Sequence, residues 1–563
     1  MQPRVAYFSM EIALDPAIPT YSGGLGILAG DFLRSAADAE LPMVAVTLAY
    51  RQGYFRQHLE PSGAQSERPD PWNPAERAQA VDAHTVITLF GRAVHVRAWR
   101  YDVVGVSGAI VPVYLLDTDV PENAEEDRHL TDSLYGGDTT YRLAQEAVLG
   151  LGGVRLIEAL GYTTIDSYHL NEGHAALLIV GLIETHLRNR DAQPEDVNVD
   201  DIVAVRDNCV FTTHTPVPAG HDHFPVEQMQ NVLGERRSRL ITSIHGLHEG
   251  QLSMTYLALR GSRYVNGVAM RHGEISQDMF PHHPVHAITN GVHAVTWTSP
   301  VFADLFDRHI PEWRRDNYYL RYAIGIPIDE IRAAHQAAKG VLLSEVESRA
   351  GVKLSRDVFT FGFARRAATY KRAALLFEDH ERLRGIAGRF GGIQLVYAGK
   401  AHPQDEGGKA VIRDVIEAAN ALKDVVTFVY LENYDWRLGE LITAGVDLWL
   451  NTPQPPMEAS GTSGMKAALN GVPSFSILDG WWIEGHVEGV TGWSMIDGDL
   501  YDKLEEEILP RYYERPDEYV AMMRSTIALN GSFFNTQRMA AQYASNAYWP
   551  EERFKPVLPL ASR

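Results

Sequence analysis

Val358-Phe359-Thr360-Phe361-Gly362-Phe363 is followed by Ile393-Gln394-Leu395-Val396-Tyr397-Ala398, by Val425 to Leu431 and by Val446-Asp447-Leu448-Trp449-Leu450. These four short apolar runs decide the fold class. Between them lie helix-patterned segments, Tyr370 to Ala387, Glu406 to Leu422 and Leu438 to Ala444. Strand runs separated by helix-length segments need crossover connections, so this half reads as a doubly wound parallel sheet.

The first half repeats the style. Met1 to Phe8 reads as a first strand, Asp31 to Ala39 as a helix, Val44 to Leu48 and Ile110 to Leu116 as strands, and Tyr141 to Leu160 as a long helix. The expectation is an α/β protein of two Rossmann-like domains, 1–295 and 296–532, with the boundary near Gly291 to Trp297. Phe302 to Ala350 is charged and helically patterned without a strand, which gives a helical bridge over 302–350. Prolines 69, 71 and 74, and the acidic stretch from Asp191 to Asp201, read as surface loops.

The chain has 563 residues, 45% of them hydrophobic, enough for large cores in two domains. It carries 72 acidic against 51 basic residues, a net charge of -21, which argues against a nucleic-acid or anionic-membrane partner. An anionic ligand therefore needs a local basic pocket. Cys209 is the single cysteine, within an apolar run, so it reads as a core residue and no intrachain disulfide forms. The N-terminus lacks a long apolar signal core, and even Ala175 to Ile183 stops at Glu184, so a soluble cytoplasmic protein is expected.

The basic pocket is found at Arg365-Arg366-Ala367-Ala368-Thr369-Tyr370-Lys371-Arg372, four cations in eight positions after a strand. Arginine offers a planar fork and lysine a point charge, the two ways of holding phosphate. Further on, Glu458-Ala459-Ser460-Gly461-Thr462-Ser463-Gly464-Met465-Lys466 sets one lysine behind a loop of small residues, on a short helix stopped by Asn470-Gly471. Loop N–H groups hold phosphate oxygens, and positive potential with partial burial lowers the lysine pKa toward the free amine, so Lys466 is the candidate Schiff-base residue. Alone, such a loop reads rather as an ordinary helix cap by Ser460 or Thr462 with a solvated lysine.

Tyr21-Ser22-Gly23-Gly24-Leu25-Gly26 is a glycine-rich turn opening a helix, without the dinucleotide fingerprint spacing. Phe211-Thr212-Thr213-His214-Thr215-Pro216 ends a strand on a histidine, a type more often structural than catalytic. The His221-Asp222-His223 and His282-His283 clusters lack convincing partner spacing, so no metal is assigned.

Taken together and in this order, from Tyr7 to beyond Asp479-Gly480, these stretches resemble the α-glucan phosphorylases, the glycogen, starch and maltodextrin phosphorylases, in a compact bacterial-type form. The resemblance implies the GT-B fold, two Rossmann-like domains facing a central cleft, with a terminal helix within 533–563 crossing back to the first domain. It implies pyridoxal phosphate on Lys466, with Arg365, Tyr434, Gly461, Thr462, Trp297 and Gly24 around it. Lys371, Arg366, His214 and Asn290 take the family's catalytic positions. Gly23, Gly24, Glu11, Glu172, Tyr370, Glu458 and Ser460 take its substrate positions.

The implied reaction is that of a retaining glycosyltransferase: inorganic phosphate cleaves the terminal α-1,4 bond of a glucan (glycogen, starch or maltodextrin) and gives glucose 1-phosphate. The family is usually oligomeric, so a homo-oligomer is the candidate assembly. The sequence differs from the family pattern at Arg365 (lysine), Ala368 (histidine), Asp435 (arginine) and Ser463-Gly464 (Gly-Asn). A nucleotide-sugar-dependent glucan synthase of the same fold, and a weakly catalytic glucan-binding regulatory protein, stand as the alternatives.

Overall fold

The computed structural model describes residues 2–217, 220–496 and 498–550. In the second half, six strands form one wholly parallel sheet in the spatial order Val426–Leu431, Ile393–Ala398, Thr360–Ala364, Leu448–Asn451, Ser474–Ile477, Gly492–Met495. Numbered along the chain this is 3-2-1-4-5-6, the doubly wound order. Every residue of Thr360–Ala364, Ile393–Ala398 and Leu448–Asn451 is buried, as strands covered by helices on both faces require. The winding reverses between Thr360–Ala364 and Leu448–Asn451, so a crevice opens at their carboxyl ends, at Arg365 and Thr452.

The first half builds a nine-stranded sheet in the order His286–Ala287, Tyr264–Gly267, Cys209–Thr212, Ser167–Asn171, Val5–Ser9, Met43–Leu48, Ile110–Asp117, Arg92–Val104, Gln79–Leu89. The first seven are parallel. Its winding reverses between Val5–Ser9 and Ser167–Asn171, and those carboxyl ends lead into Glu11 and Glu172. Cys209 is buried in its strand. Thr536–Tyr543 and the turn after it return to this sheet: Ser35 Oγ meets Thr536 Oγ1 at 2.6 Å, Thr212 Oγ1 meets the Tyr543 hydroxyl at 2.9 Å, and His169 Nδ1 meets the Tyr548 hydroxyl at 2.6 Å. Residues 551–563 of the expected terminal helix lie outside the described residues.

The bridge consists of helices Pro300–His309 and Ile328–Ala350 with a 3-10 stretch Asn317–Gly325 between them. The longer helix is tied to the second sheet by a buried cluster in which Lys339 Nζ (2.6 Å) and the Thr360 N–H (2.8 Å) donate to Asp447 Oδ2, while His335 Nε2 meets Asp447 Oδ1 at 2.8 Å. Reciprocal bonds between Gln57 and Asn433 (3.1 and 2.9 Å), and Lys400 Nζ donating to the Phe55 carbonyl (2.9 Å), lock a loop of the first half onto carboxyl ends of the second sheet. The two crevices consequently face each other. Among the described residues no helix is long and apolar enough to cross a membrane.

The structure departs from the sequence pattern in two places. No strand is expected over residues 79–104, yet a long antiparallel hairpin closes the sheet edge there. Its turn uses Phe90 (φ 52°) and Gly91 (φ 74°), both left-handed, as a two-residue hairpin turn requires. Tyr370 to Ala387 is not one helix: the chain makes short 3-10 turns at Thr369–Lys371 and Leu375–Phe377, with Arg372 at φ 45° between them, and the α-helix is His380–Arg389. It starts where Asp379 supplies the cap, its carboxylate accepting from the Arg382 N–H.

Candidate active site

On the second sheet the crevice is built around one carboxylate. Arg365 extends from the end of its strand, donating Nη1 to Asn451 Oδ1 on the neighbouring strand and Nη2 to Glu458 Oε2 at 2.8 Å. Lys371 donates to the same Oε2 and lies over the Tyr370 ring, 4.4 Å from its centroid. Burial pushes the Glu458 carboxyl up, but Arg365 and Lys371 outweigh it and hold the pKa at about 2. Burial, reinforced by Arg365, draws the Lys371 pKa down, with Glu458 opposing. Arg366 is exposed at the crevice, within electrostatic reach of Tyr370, Tyr54 and Tyr135. The segment 365–371 thus brings three cations against one directly bonded carboxylate, a local excess of positive charge in an acidic protein.

The loop from Glu458 onward is held by a residue the motif reading left out. Asp479 accepts the Glu458 N–H on Oδ2 and the Gly480 N–H on Oδ1, each at 2.9 Å. Gly480 sits at φ 54°, and a Cβ there would lie 2.5 Å from the Ser460 carbonyl oxygen, so glycine is required. Gly461 follows at φ 81°, and Thr462 precedes the helix Ser463–Leu469 without capping it through its side chain. Ser460 Oγ and Arg365 Nε are buried without a hydrogen-bond partner.

Lys466 faces inward from that helix, 6% exposed, with Nζ 3.5 Å from the centroid of the Trp297 indole. Burial lowers its pKa to about 8, while Asp31 and Glu440 pull the other way. Of the two expected causes burial acts here, whereas the charged groups that act on the amine are negative rather than positive. Trp297 is fixed by its N–H donating to Asp31 Oδ2 at 2.7 Å and by stacking on Trp436, 6.0 Å between centroids. Tyr434 is half-buried in the cluster that packs beneath this sheet, its hydroxyl pKa raised by burial.

Across the cleft, Glu11 organises the glycine loop. Its Oε2 accepts the Ser22 N–H (2.6 Å) and the Gly23 N–H (3.2 Å), and its Oε1 accepts the Tyr135 hydroxyl (2.8 Å). A Cβ on Gly26 would lie 2.6 Å from Tyr21 Cβ and 2.7 Å from Glu11 Oε2, whereas one on Gly23 or Gly24 meets nothing within 4 Å. The loop therefore packs against Glu11 on one side and presents bare backbone on the other.

Glu172 does not project freely. It sits at φ 75° and spends its carboxylate on the Gly173 N–H (2.9 Å), the His214 N–H (2.7 Å) and the Thr215 hydroxyl (3.0 Å). It fixes the backbone of His214, whose Nε2 lies 2.7 Å from Asn171 Oδ1; the Asn171 amide in turn donates to Ser9 Oγ at 3.0 Å. Burial, with neighbouring histidines, lowers the His214 pKa to about 3, so the ring is neutral and the bond to Asn171 places its proton on Nε2. Asn290 is buried with Oδ1 unpartnered, its carbonyl accepting from Arg538. Asp222 joins Glu146 and His174, their ligating atoms within 4.8 Å of one another, but Arg142 already bonds both acids.

A family model described as carbohydrate phosphorylase matches residues 11–125 and 234–498. The match takes in the glycine loop, Asn290, the cation segment and Lys466, while Glu172 and His214 fall between its two parts. The chain is similar to the maltodextrin phosphorylase of Thermococcus litoralis, 37% identical over 97% of this chain and 70% of that relative. It is also similar to the glycogen phosphorylases of Mycobacterium tuberculosis (36%; 97% and 71%) and Aquifex aeolicus (33%; 97% and 86%).

Proposed function

This chain belongs to the carbohydrate phosphorylase family, and from that premise we propose that it is an α-glucan phosphorylase, releasing glucose 1-phosphate from the non-reducing ends of an α-1,4-glucan with inorganic phosphate. The observation that carries the reading is the surplus of positive charge on 365–371, set opposite a bare glycine loop at two facing switch points. Anions belong on one wall and a sugar on the other.

The residues present suit pyridoxal phosphate. Lys466 offers a buried amine that pairs with no carboxylate among the described residues, and its low pKa makes the free base accessible near neutrality. Arg365 Nε and Ser460 Oγ, on the strand end and loop of the same crevice, are buried donors without acceptors. Lys466 would hold the cofactor, with Trp297, Tyr434, Gly461, Thr462, Arg365 and Gly24 around it. The cofactor supplies a second phosphate group for general acid–base proton exchange with the substrate phosphate.

Arg366 and Lys371 hold substrate phosphate, and Tyr370 supports the Lys371 ammonium through its ring face. Glu458 keeps Lys371 and Arg365 in place until an anion arrives, and with Ser460 it reaches the sugar hydroxyls. Gly23 and Gly24 admit the glucosyl unit against backbone, and Asn290 Oδ1 accepts from it. His214, neutral and aimed by Asn171 and Glu172, stabilises oxocarbenium charge as an oriented dipole. Glu11 and Glu172 are consumed by protein donors, so neither is placed to attack as a nucleophile; as the C1–O bond to the glucan breaks, substrate phosphate gives its proton to the departing oxygen and bonds to the oxocarbenium-like C1 from the same face, so the configuration is retained.

Cofactor-loaded protein mixed with maltoheptaose and inorganic phosphate should form α-glucose 1-phosphate and maltohexaose. No sugar phosphate from fully loaded protein, or glucosyl transfer from a nucleotide sugar instead, contradicts the reading.

A further inference from the structure

A buried polar cluster that the proposed chemistry does not use is centred on Arg142, on the helix Thr139–Ala147. Its Nε donates to Glu146 Oε1 at 2.8 Å, its Nη2 donates to Asp222 Oδ2 at 3.1 Å, and its guanidinium lies over the Tyr135 ring, 4.4 Å from the centroid. Both edges and the face of one group are engaged. Burial, with Asp222 beside it, pushes the fully buried Glu146 carboxyl well above its usual range, so it is protonated near neutrality. Burial pushes Asp222 up as well, but Arg142 outweighs it and holds that carboxyl below its ordinary pKa. The charge of Arg142 is therefore spent on Asp222. Only a guanidinium offers two directed N–H arms together with a flat face for an aromatic ring; a lysine would keep the charge alone.

The cluster has two ends, and each reaches a different part of the sugar side. Tyr135, at φ 56°, donates its hydroxyl to Glu11 Oε1 (2.8 Å), the carboxylate whose other oxygen accepts the Ser22 and Gly23 N–H groups. That end is the glycine loop. At the other, Asp222 Oδ2 lies 3.3 Å from His174 Nε2, and His174 belongs to the 3-10 turn Gly173–Ala175 directly after Glu172, whose carboxylate accepts the His214 N–H. That end is the Glu172 clamp on His214. The ring centroids of His174 and Tyr135 are 6.0 Å apart, so the two ends also meet beside Arg142.

We propose that Arg142 is a positioning residue that holds the glycine loop and His214 in one register, acting on the first through Tyr135 and Glu11 and on the second through Asp222, His174 and Glu172. The proposal rests on the phosphorylase reading for what those two elements do to the sugar. Arg142 itself touches no reacting atom. Its consequence is that a change at one end of the cluster is felt at the other, which packing alone does not require.

Hydrogen–deuterium exchange of the full-length, cofactor-loaded protein reads both ends, since the Ser22 and Gly23 amides report the glycine loop and the His214 amide reports the clamp. Asp222→Asn, made at the clamp end, should speed exchange in the glycine loop about tenfold, and Tyr135→Leu, made at the loop end, should speed it at His214 by a similar factor. Arg142→Lys should speed both, and adding either other change to it should bring no further rise at the far end. In all three variants kcat for glucose 1-phosphate should fall roughly tenfold with the phosphate KM within about twofold of the parent, because Arg366 and Lys371 are untouched. Faster exchange confined to the mutated end, a uniform rise across the chain, or an unchanged kcat in all three overturns the role. If one variant does not fold, the other carries the same test from the opposite end. The exchange pattern needs no turnover: transmission in a parent that makes no glucose 1-phosphate keeps the positioning role and removes the phosphorylase reading, and an active parent without transmission does the reverse.

Discussion

The Lys466 amine lies 3.5 Å from the centroid of the Trp297 indole, and that indole is fixed by Asp31 on the first helix of the chain. A lysine of the second sheet is therefore positioned by the first half of the protein. Burial brings its pKa to about 8, so below that pH the free amine falls tenfold per unit. The rate at which cofactor-free protein takes up pyridoxal phosphate should rise with pH up to about 8 and then level off, followed by absorbance after rapid mixing. A rate independent of pH between 6 and 9 contradicts this environment.

Glu458 carries the opposite sign. Its folded pKa, about 2, lies below the ordinary 4.5, so its contribution is present above pH 4.5 and is lost as pH falls through 2. That difference corresponds to on the order of 3 kcal/mol, reduced by what burial takes from Lys371, whose pKa moves down. Glu458→Gln should lower the thermal midpoint at pH 7 and converge on the parent as pH approaches 2. Equal midpoints at pH 7 count against a shared carboxylate for Arg365 and Lys371.

The glycine loop separates packing from function. Gly24→Val points into open space and should leave the thermal midpoint unchanged while reducing kcat/KM roughly tenfold or more by blocking the sugar. Gly26→Ala drives a methyl into Tyr21 and Glu11 and should cost about 1–3 kcal/mol of stability. Calorimetry and initial rates on both variants check the pair; the reverse pattern contradicts the assignment.

His214, with a pKa of about 3, is neutral throughout the working range, so it contributes no ionisation to the kcat/KM profile above pH 5. His214→Ala should lower kcat about 10²-fold with the shape of that profile unchanged. Asn171→Ala frees the ring and should lower kcat in the same direction by a smaller factor. A limb of the profile that disappears in His214→Ala contradicts a neutral ring.

Much of the fold was legible because buried parallel strands are mostly apolar: Ile393–Ala398, in which Gln394 is the one amide, ends at the residues the sequence suggested. The hairpin over 79–104 was hidden because its alternating strand faces water and its turn is Phe90-Gly91, not an Asn-Gly signal. Arg365, Lys371 and Glu458 share one crevice because the carboxyl ends of Thr360–Ala364 and Leu448–Asn451 meet at a switch point. Glu172 was not legible as a backbone clamp, since nothing local announces a left-handed glutamate. Asp31, Glu440 and Tyr135 reach the site only through tertiary packing; Asp479-Gly480, an acid before a glycine in a loop, carried the one local signal that was passed over.

Lys466 is the residue proposed to hold the cofactor. Borohydride reduction of the protein loaded with pyridoxal phosphate, followed by peptide mapping, measures this directly. A single pyridoxyl-bearing peptide, modified at Lys466 and lost in Lys466→Ala, is the predicted result; a pyridoxyl group fixed on any other lysine, or none on a protein that forms glucose 1-phosphate, contradicts it.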